Sequence, residues 1–385
     1  MRNSLCRHVA RNTAVALCVG LLAGCSMFSS HDERYAPAPL TEYQAGVSVG
    51  QQWSVSLGSG SGYGFMPTVL DGYVYAAAPN GRVSKIDLAS GRVIWQTDTG
   101  MNLSAGAGSD GRTTVAAAAD GNVVALDENG REKWRVRATS EVAVPPVVGA
   151  GVVVVRSSDY RIQAFDANSG EALWDVQRPG PALALKASMQ MRIVDDLLMA
   201  GLPNGRLIAI HAPTGSVQWE GTISTSQGAT DLDRISDVVG APQIMGPALC
   251  GVTYQGKMVC FDVSQGGVPM WEQRFSSSAG MAIDPGMVYA PDQRDVVHAF
   301  ELASGREVWK QDGLRNRRLT APAVVHQGIA VGDLDGFVHF LSRADGSLLG
   351  RVQVGGGAIV SPPVATDRGV LVQTGNGALV LVGVN

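Results

Sequence analysis

The chain has 385 residues, 45% of them apolar, enough to bury a sizeable core. Its 30 basic and 34 acidic residues leave a formal charge of −4, so nothing in the balance calls for nucleic acid as a partner.

The first 24 residues read as a signal peptide: Arg2, Arg7 and Arg11 with no acidic residue, then the apolar run AVALCVGLLAG at 14–24. That run is too short to span a bilayer as a helix. It ends in LAGC at 22–25, which resembles the lipobox of bacterial lipoproteins and makes Cys25 the lipidated first residue of the mature chain. Several acyl chains on one residue anchor stably, whereas a single chain holds only marginally. Ser26 follows Cys25 where retention in the inner membrane usually involves Asp, so the resemblance implies the outer membrane, facing the periplasm. Residues 25–46, with Ser29, Ser30, Pro37 and Pro39, read as a flexible tether. Without the signal, 27 basic residues face 34 acidic ones. Cys6 and Cys18 leave with it, and only Cys250 and Cys260 remain beside Cys25. These two flank a hairpin turn at Gln255 and Gly256, and either a disulfide or two buried thiols fits.

From residue 47 onward the chain repeats itself. SGRVIW at 90–95 returns as NGREKW at 129–134, SGEALW at 169–174, TGSVQW at 214–219, GGVPMW at 266–271 and SGREVW at 304–309. With Trp53 and with Gly350 standing where an eighth tryptophan would, the period is about forty residues. Before each phrase lies an alternating hairpin, such as YVYAAAPNGRVSKID at 73–87 or VVVVRSSDYRIQAFD at 152–166. Pro67, Pro145, Pro242 and Pro322 each fall about 28 residues before their tryptophan position and mark a further strand, innermost and facing a central channel. Each unit is then four strands, a propeller blade, and the 48 glycines serve the turns. The last repeat, 361–382, supplies three strands, and GQQWSVSLG at 50–58 supplies the fourth. The expected fold is all-β, an eight-bladed β-propeller over 47–385, closed by its N-terminal strand. The tryptophans are expected to cover the joints between blades.

The pattern Ala-x-Asp followed by Ser/Thr-Gly-x-x-x-Trp, as in Ala164, Asp166, Ser169, Gly170 and Trp174, resembles the repeat of pyrroloquinoline-quinone (PQQ) propellers. With the lipobox and the length, the chain resembles the BamB family of outer-membrane β-barrel assembly lipoproteins. Two intervals exceed the period, 45 positions from Trp174 to Trp219 and 52 from Trp219 to Trp271. Both insertions follow outer strands and so project from one rim. The first carries Leu183, Leu185 and Lys186; the second carries Asp231, Asp233, Arg234 and Asp237. Apolar anchors beside a polar cluster have the composition of a docking site. The bland readings are leucines that open an inner strand as core, and a solvated acidic insertion with a short helix.

The resemblance implies that these loops contact the periplasmic repeats of the assembly subunit BamA, within a complex with other BAM subunits. Leu183, Leu185, Arg234 and Asp237 match the family motif, while Lys186 stands where arginine is usual and Val239 where another acid is common. It also leaves open whether the protein orients BamA or offers a strand edge to nascent outer-membrane proteins.

The competing class is a PQQ-dependent periplasmic dehydrogenase. Such enzymes carry calcium ligands and often a vicinal cysteine pair; no adjacent cysteines occur here, so no cofactor and no metal are expected. GAGSDG at 106–111 reads as a turn, and DLDG at 333–336 lacks the remaining ligands of a calcium loop. His298 and His339 fall at equivalent third-strand positions and read as surface or joint packing. RNRR at 315–318 reads as a solvated basic face on the rim of the long loops, with a partner or lipid-headgroup contact as the alternative.

Overall fold

The computed structural model describes residues 33–384, apart from Ser61, Ala182, Ala184, Lys186, Ser188 and 226–228. The Cys25 expectation and the Lys186 contact therefore lie outside the described residues. A short N-terminal unit ends at Ala38 and contains one 3-10 turn, Glu33–Tyr35. The remainder, from Pro39, is the propeller.

The third blade shows how the sequence builds the fold. Val147–Gly149, Val152–Arg156, Arg161–Asp166 and Ala172–Gln177 pair antiparallel in that order. The valine run Val152–Arg156 is buried throughout, as a strand covered on both faces must be. The outer strand alternates instead, with Trp174 and Val176 turned inward and their neighbours exposed. Seven blades follow this plan over 68–98, 108–137, 147–177, 191–222, 238–274, 282–311 and 323–353. The eighth joins Val364–Thr366, Gly369–Gln373 and Ala378–Val384 to Val49–Ser56, the closure expected from the sequence.

The core lies between blades. Val115, Ala117 and Val123 of blade 2 meet Val153, Val155 and Phe165 of blade 3, and Leu371, Leu379 and Leu381 of blade 8 meet Val74, Ala76 and Ile86 of blade 1. Tryptophan locks every joint but one from the outside. The Trp134 indole lies on Gly170 of the next blade, where an added Cβ would come within 2.8 Å of the ring, and its N–H donates to the Ala167 carbonyl at 3.2 Å. Gly91, Gly130, Gly215, Gly267, Gly305 and Gly346 seat the other six indoles. The glycine of each Ser-Gly phrase thus takes a left-handed turn at positive φ and also vacates the seat for its neighbour's ring. A one-residue bulge immediately before every tryptophan position, Leu173 in blade 3, turns the ring toward that seat.

At the seam, where Gly350 replaces the eighth tryptophan, Val47 and Val49 fill the space, and the Gly46 N–H donates to the Leu349 carbonyl at 2.8 Å. Leu40 packs at the joint of blades 6 and 7, and the Arg351 guanidinium lies over the Tyr43 ring.

The prolines come close to their expected places. Pro67 and Pro322 stand directly before inner strands and Pro145 two residues before one, whereas Pro242 lies inside Val238–Met245, at an irregularity in its pairing. GAGSDG divides: Gly108–Ser109 is the inner strand of blade 2 and only Asp110 and Gly111 turn. Cys250 and Cys260 sit directly opposite across their hairpin and are joined as a fully buried disulfide.

The hairpin between second and third strands has a fixed slot for a left-handed or glycine residue. Gly81, Gly121, Gly205, Gly256, Gly336 and Gly377 fill it in six blades. Tyr160 fills it in blade 3 and Asp295 in blade 6, at φ values of 65° and 62°.

Candidate docking site

The first long loop, 178–190, is held at three points. The Tyr160 ring covers Gly180 so closely that a Cβ there would fall 1.9 Å from it, and its hydroxyl donates to the Pro181 carbonyl at 3.0 Å. The Leu185 N–H donates to Asp237 Oδ2 at 2.7 Å. Met189 then bridges to Gly240 in parallel, and the Gln190 N–H donates to the Gly240 carbonyl. Gln190 reaches further, its amide nitrogen 3.1 Å from Met66 Sδ beside blade 1. A segment that touches blades 1, 3 and 5 lies across the channel mouth. It divides that mouth into two cavities, both lined by Tyr63, Leu185 and Ala187, one toward blades 6–8 and one toward blades 1–3.

Of the expected anchors, Leu183 is 44% exposed and Leu185 is half-buried against the core of blades 5 and 6. The inner strand of blade 4 begins only at Met191, so neither leucine opens it. Asp237 differs from the sequence expectation of a polar rim, because its side chain is fully buried. Burial raises its carboxyl above the usual range, while the Leu185 and Asn204 N–H groups and the Arg156 charge oppose that rise. Arg156 is itself buried and donates to the Gly201 carbonyl at 2.6 Å. Asp237 therefore presents Leu185 and does not itself reach the surface.

The second loop turns over 231–234 without forming a helix. Thr230 and Asp233 bond each other reciprocally, leaving Leu232 66% exposed and Arg234 exposed beside it. Asp231 and Asp233 share that exposed turn.

RNRR is not a uniform solvated face. Arg317 is buried, donating to Asp333 at 2.7 Å and to Asp335, while Arg318 is exposed at the cavity toward blades 6–8. DLDG is a turn whose Asp333 also accepts from His339 and from the Asp335 and Phe337 N–H groups. Burial opposes the Asp333 charge, but these bonds hold its carboxyl below the usual range. His339 is fully buried, and His298 lies between Asp292 and Glu307. Among the described residues no three His, Cys, Asp or Glu side chains group as a metal site.

Sequence reasoning missed Tyr63, Tyr160 and Asp295. For the last two a signal was present: a bulky or charged residue in a hairpin slot that glycine fills elsewhere.

The family described as outer membrane protein assembly factor BamB matches residues 79–311 and 294–385. The factor of that name from Bordetella pertussis is 60% identical over the full length of both chains, and that from Burkholderia pseudomallei 38% identical over 98% of each. The crystal structure of BamB from Moraxella catarrhalis superposes with a TM-score of 0.81 at 24% identity, covering 87% of this chain and 100% of that one. A europium-containing methanol dehydrogenase shares the fold at a TM-score of 0.70 and 15% identity, covering 87% and 93%. The propeller alone thus does not separate scaffold from enzyme; full-length identity and the family match do, and by these the chain belongs to the BamB family of outer membrane protein assembly factors.

Proposed function

We propose that the protein is a non-catalytic scaffold of outer-membrane β-barrel assembly, anchored through Cys25 to the outer membrane and facing the periplasm. It docks onto the periplasmic repeats of BamA through the rim formed by residues 178–190 and 224–240. One observation carries this reading: Leu183 stands exposed on a loop pinned by Tyr160, Asp237 and Gly240. A pinned apolar side chain loses little freedom on binding, and preorganisation is what lets a small anchor hold. Leu183 and Leu185 are the anchors, Arg234 and Lys186 supply the polar part of the contact, and Asp237 acts from beneath Leu185.

Truncating a true anchor costs more than about 1 kcal/mol. Leu183→Ala with Leu185→Ala should therefore weaken capture of the BamA periplasmic region at least severalfold. Thermal unfolding should shift by only a few degrees, since Leu183 is exposed and Leu185 is only half-buried against the core of blades 5 and 6. Unchanged capture by the double variant sinks the docking assignment.

A further inference from the structure

The cavity on the blade 6–8 side of the channel mouth has apolar walls from Leu185, Leu319, Ile359, Val360 and Tyr63, and Arg318 at its edge. The Arg318 guanidinium makes no hydrogen bond or ion pair with any described residue, although its exposed neighbour Arg315 pairs with Asp312 and the buried Arg317 with Asp333 and Asp335. Its backbone is held with unusual care. Arg318 sits at φ 53°, where an L side chain costs energy, and its N–H and that of Leu319 donate to the two oxygens of Asp295 at 2.7 and 2.9 Å. Asp295 in turn occupies the slot that glycine fills in six other blades. Two left-handed side chains in contact are a local cost that glycines would avoid, and such costs cluster where geometry serves function.

Resting on the docking assignment above, we propose that Arg318 is the hook for a carboxylate. The partner segment that covers Leu183 and Leu185 places an apolar side chain in this cavity and an Asp or Glu on the Arg318 guanidinium. The two features share one wall, since Leu185 lines the cavity that Arg318 edges. Charge complementarity selects the occupant. The other charged group at the cavity, Asp295, is 8% exposed and already accepts two N–H bonds, so it leaves Arg318 as the accessible charge. An apolar side chain followed by an acid is therefore the pattern this mouth reads. Asp295 is a positioning residue, acting through the backbone of Arg318.

The test uses the full-length protein, the BamA periplasmic region as probe, and Arg318→Glu, Arg318→Gln and Leu183→Ala/Leu185→Ala as variants. Arg318→Glu should weaken capture about tenfold or more, because like charges would then meet, and Arg318→Gln less. The loss should shrink as salt is raised, and both Arg318 variants should melt within a few degrees of the parent. A Lys scan of the probe's Asp and Glu residues should find one substitution that restores capture by Arg318→Glu. If Arg318→Glu fails to fold, Arg318→Gln and the scan decide. Capture by the Arg318 variants within twofold of the parent, with capture by the leucine variant lost, overturns the hook and leaves the docking assignment standing. If the leucine variant also binds normally, that assignment falls too. Arg318 variants that lose binding to anionic lipid vesicles but keep full capture would assign the cation to a phosphate headgroup and overturn the hook.

Discussion

Tyr160 shows what one side chain does in a place that most blades give to glycine. At φ 65° it bears a cost of roughly 1–2 kcal/mol, and its ring and hydroxyl then pin Gly180 and Pro181 at the root of the first long loop. Gly180→Ala would drive a Cβ into that ring. It should weaken capture of the BamA periplasmic region while barely changing thermal stability, and adding Tyr160→Gly should cost little more, since both break the same clamp. Additive losses would show that the clamp is not a unit. Asp295, in the equivalent slot, titrates at about 6 because burial raises its carboxyl, more than the Leu319 and Arg318 N–H groups lower it. Its folded value exceeds its unfolded one, so its stabilising effect is complete below about pH 4 and is lost as pH rises through about 6. Relative to Asp295→Asn, the wild-type urea midpoint should fall over that window; a parallel pH dependence in the two proteins refutes the shift.

The element that repeats is the joint, and the repeated phrase is read twice, once within its blade as a turn and once by the blade before. Ser-Gly and Trp were visible in the sequence as partners in one strand connection. The tryptophans were expected at the joints between blades; what a single repeat does not announce is that the seat there is the next blade's turn glycine, Trp134 on Gly170. The bulge before each tryptophan was likewise hidden, because it depends on how the outer strand pairs; an exposed apolar residue such as Leu173 or Val308 marks it in some blades, but Lys133 and Gln218 bulge in others. Gly170→Ala should lower unfolding free energy by about 2–4 kcal/mol, from the left-handed backbone and the overpacked indole together. A loss under about 1 kcal/mol by urea titration would mean that the ring shifts freely.

At the scale of the molecule, one N-terminal strand completes the eighth blade and so closes the ring. Closure makes the scaffold rigid, and a rigid scaffold is what allows two long loops to meet over the channel mouth in one arrangement. Where the molecule sits is a separate matter, for which Cys25 is the proposed anchor. Cys25→Ala should accumulate as unprocessed precursor or appear soluble; normal cleavage with outer-membrane fractionation would remove the lipid anchor from the account.

Strand count, blade count, closure and the rim of the long loops were legible in the sequence, because turn glycines, prolines and the tryptophan period are local signals that every repeat restates. That Leu183 and Leu185 lie in a loop and not in an inner strand follows from the same interval, longer than the period. What each polar residue does was not legible. Asp237 is fully buried beneath the loop it was expected to accompany, Arg317 is an internal staple while Arg318 faces a cavity, and Cys250 meets Cys260 through their register. Those outcomes depend on which blades the closed ring brings together. Burial and pairing are properties of neighbours distant in sequence, and only the tertiary structure supplies them.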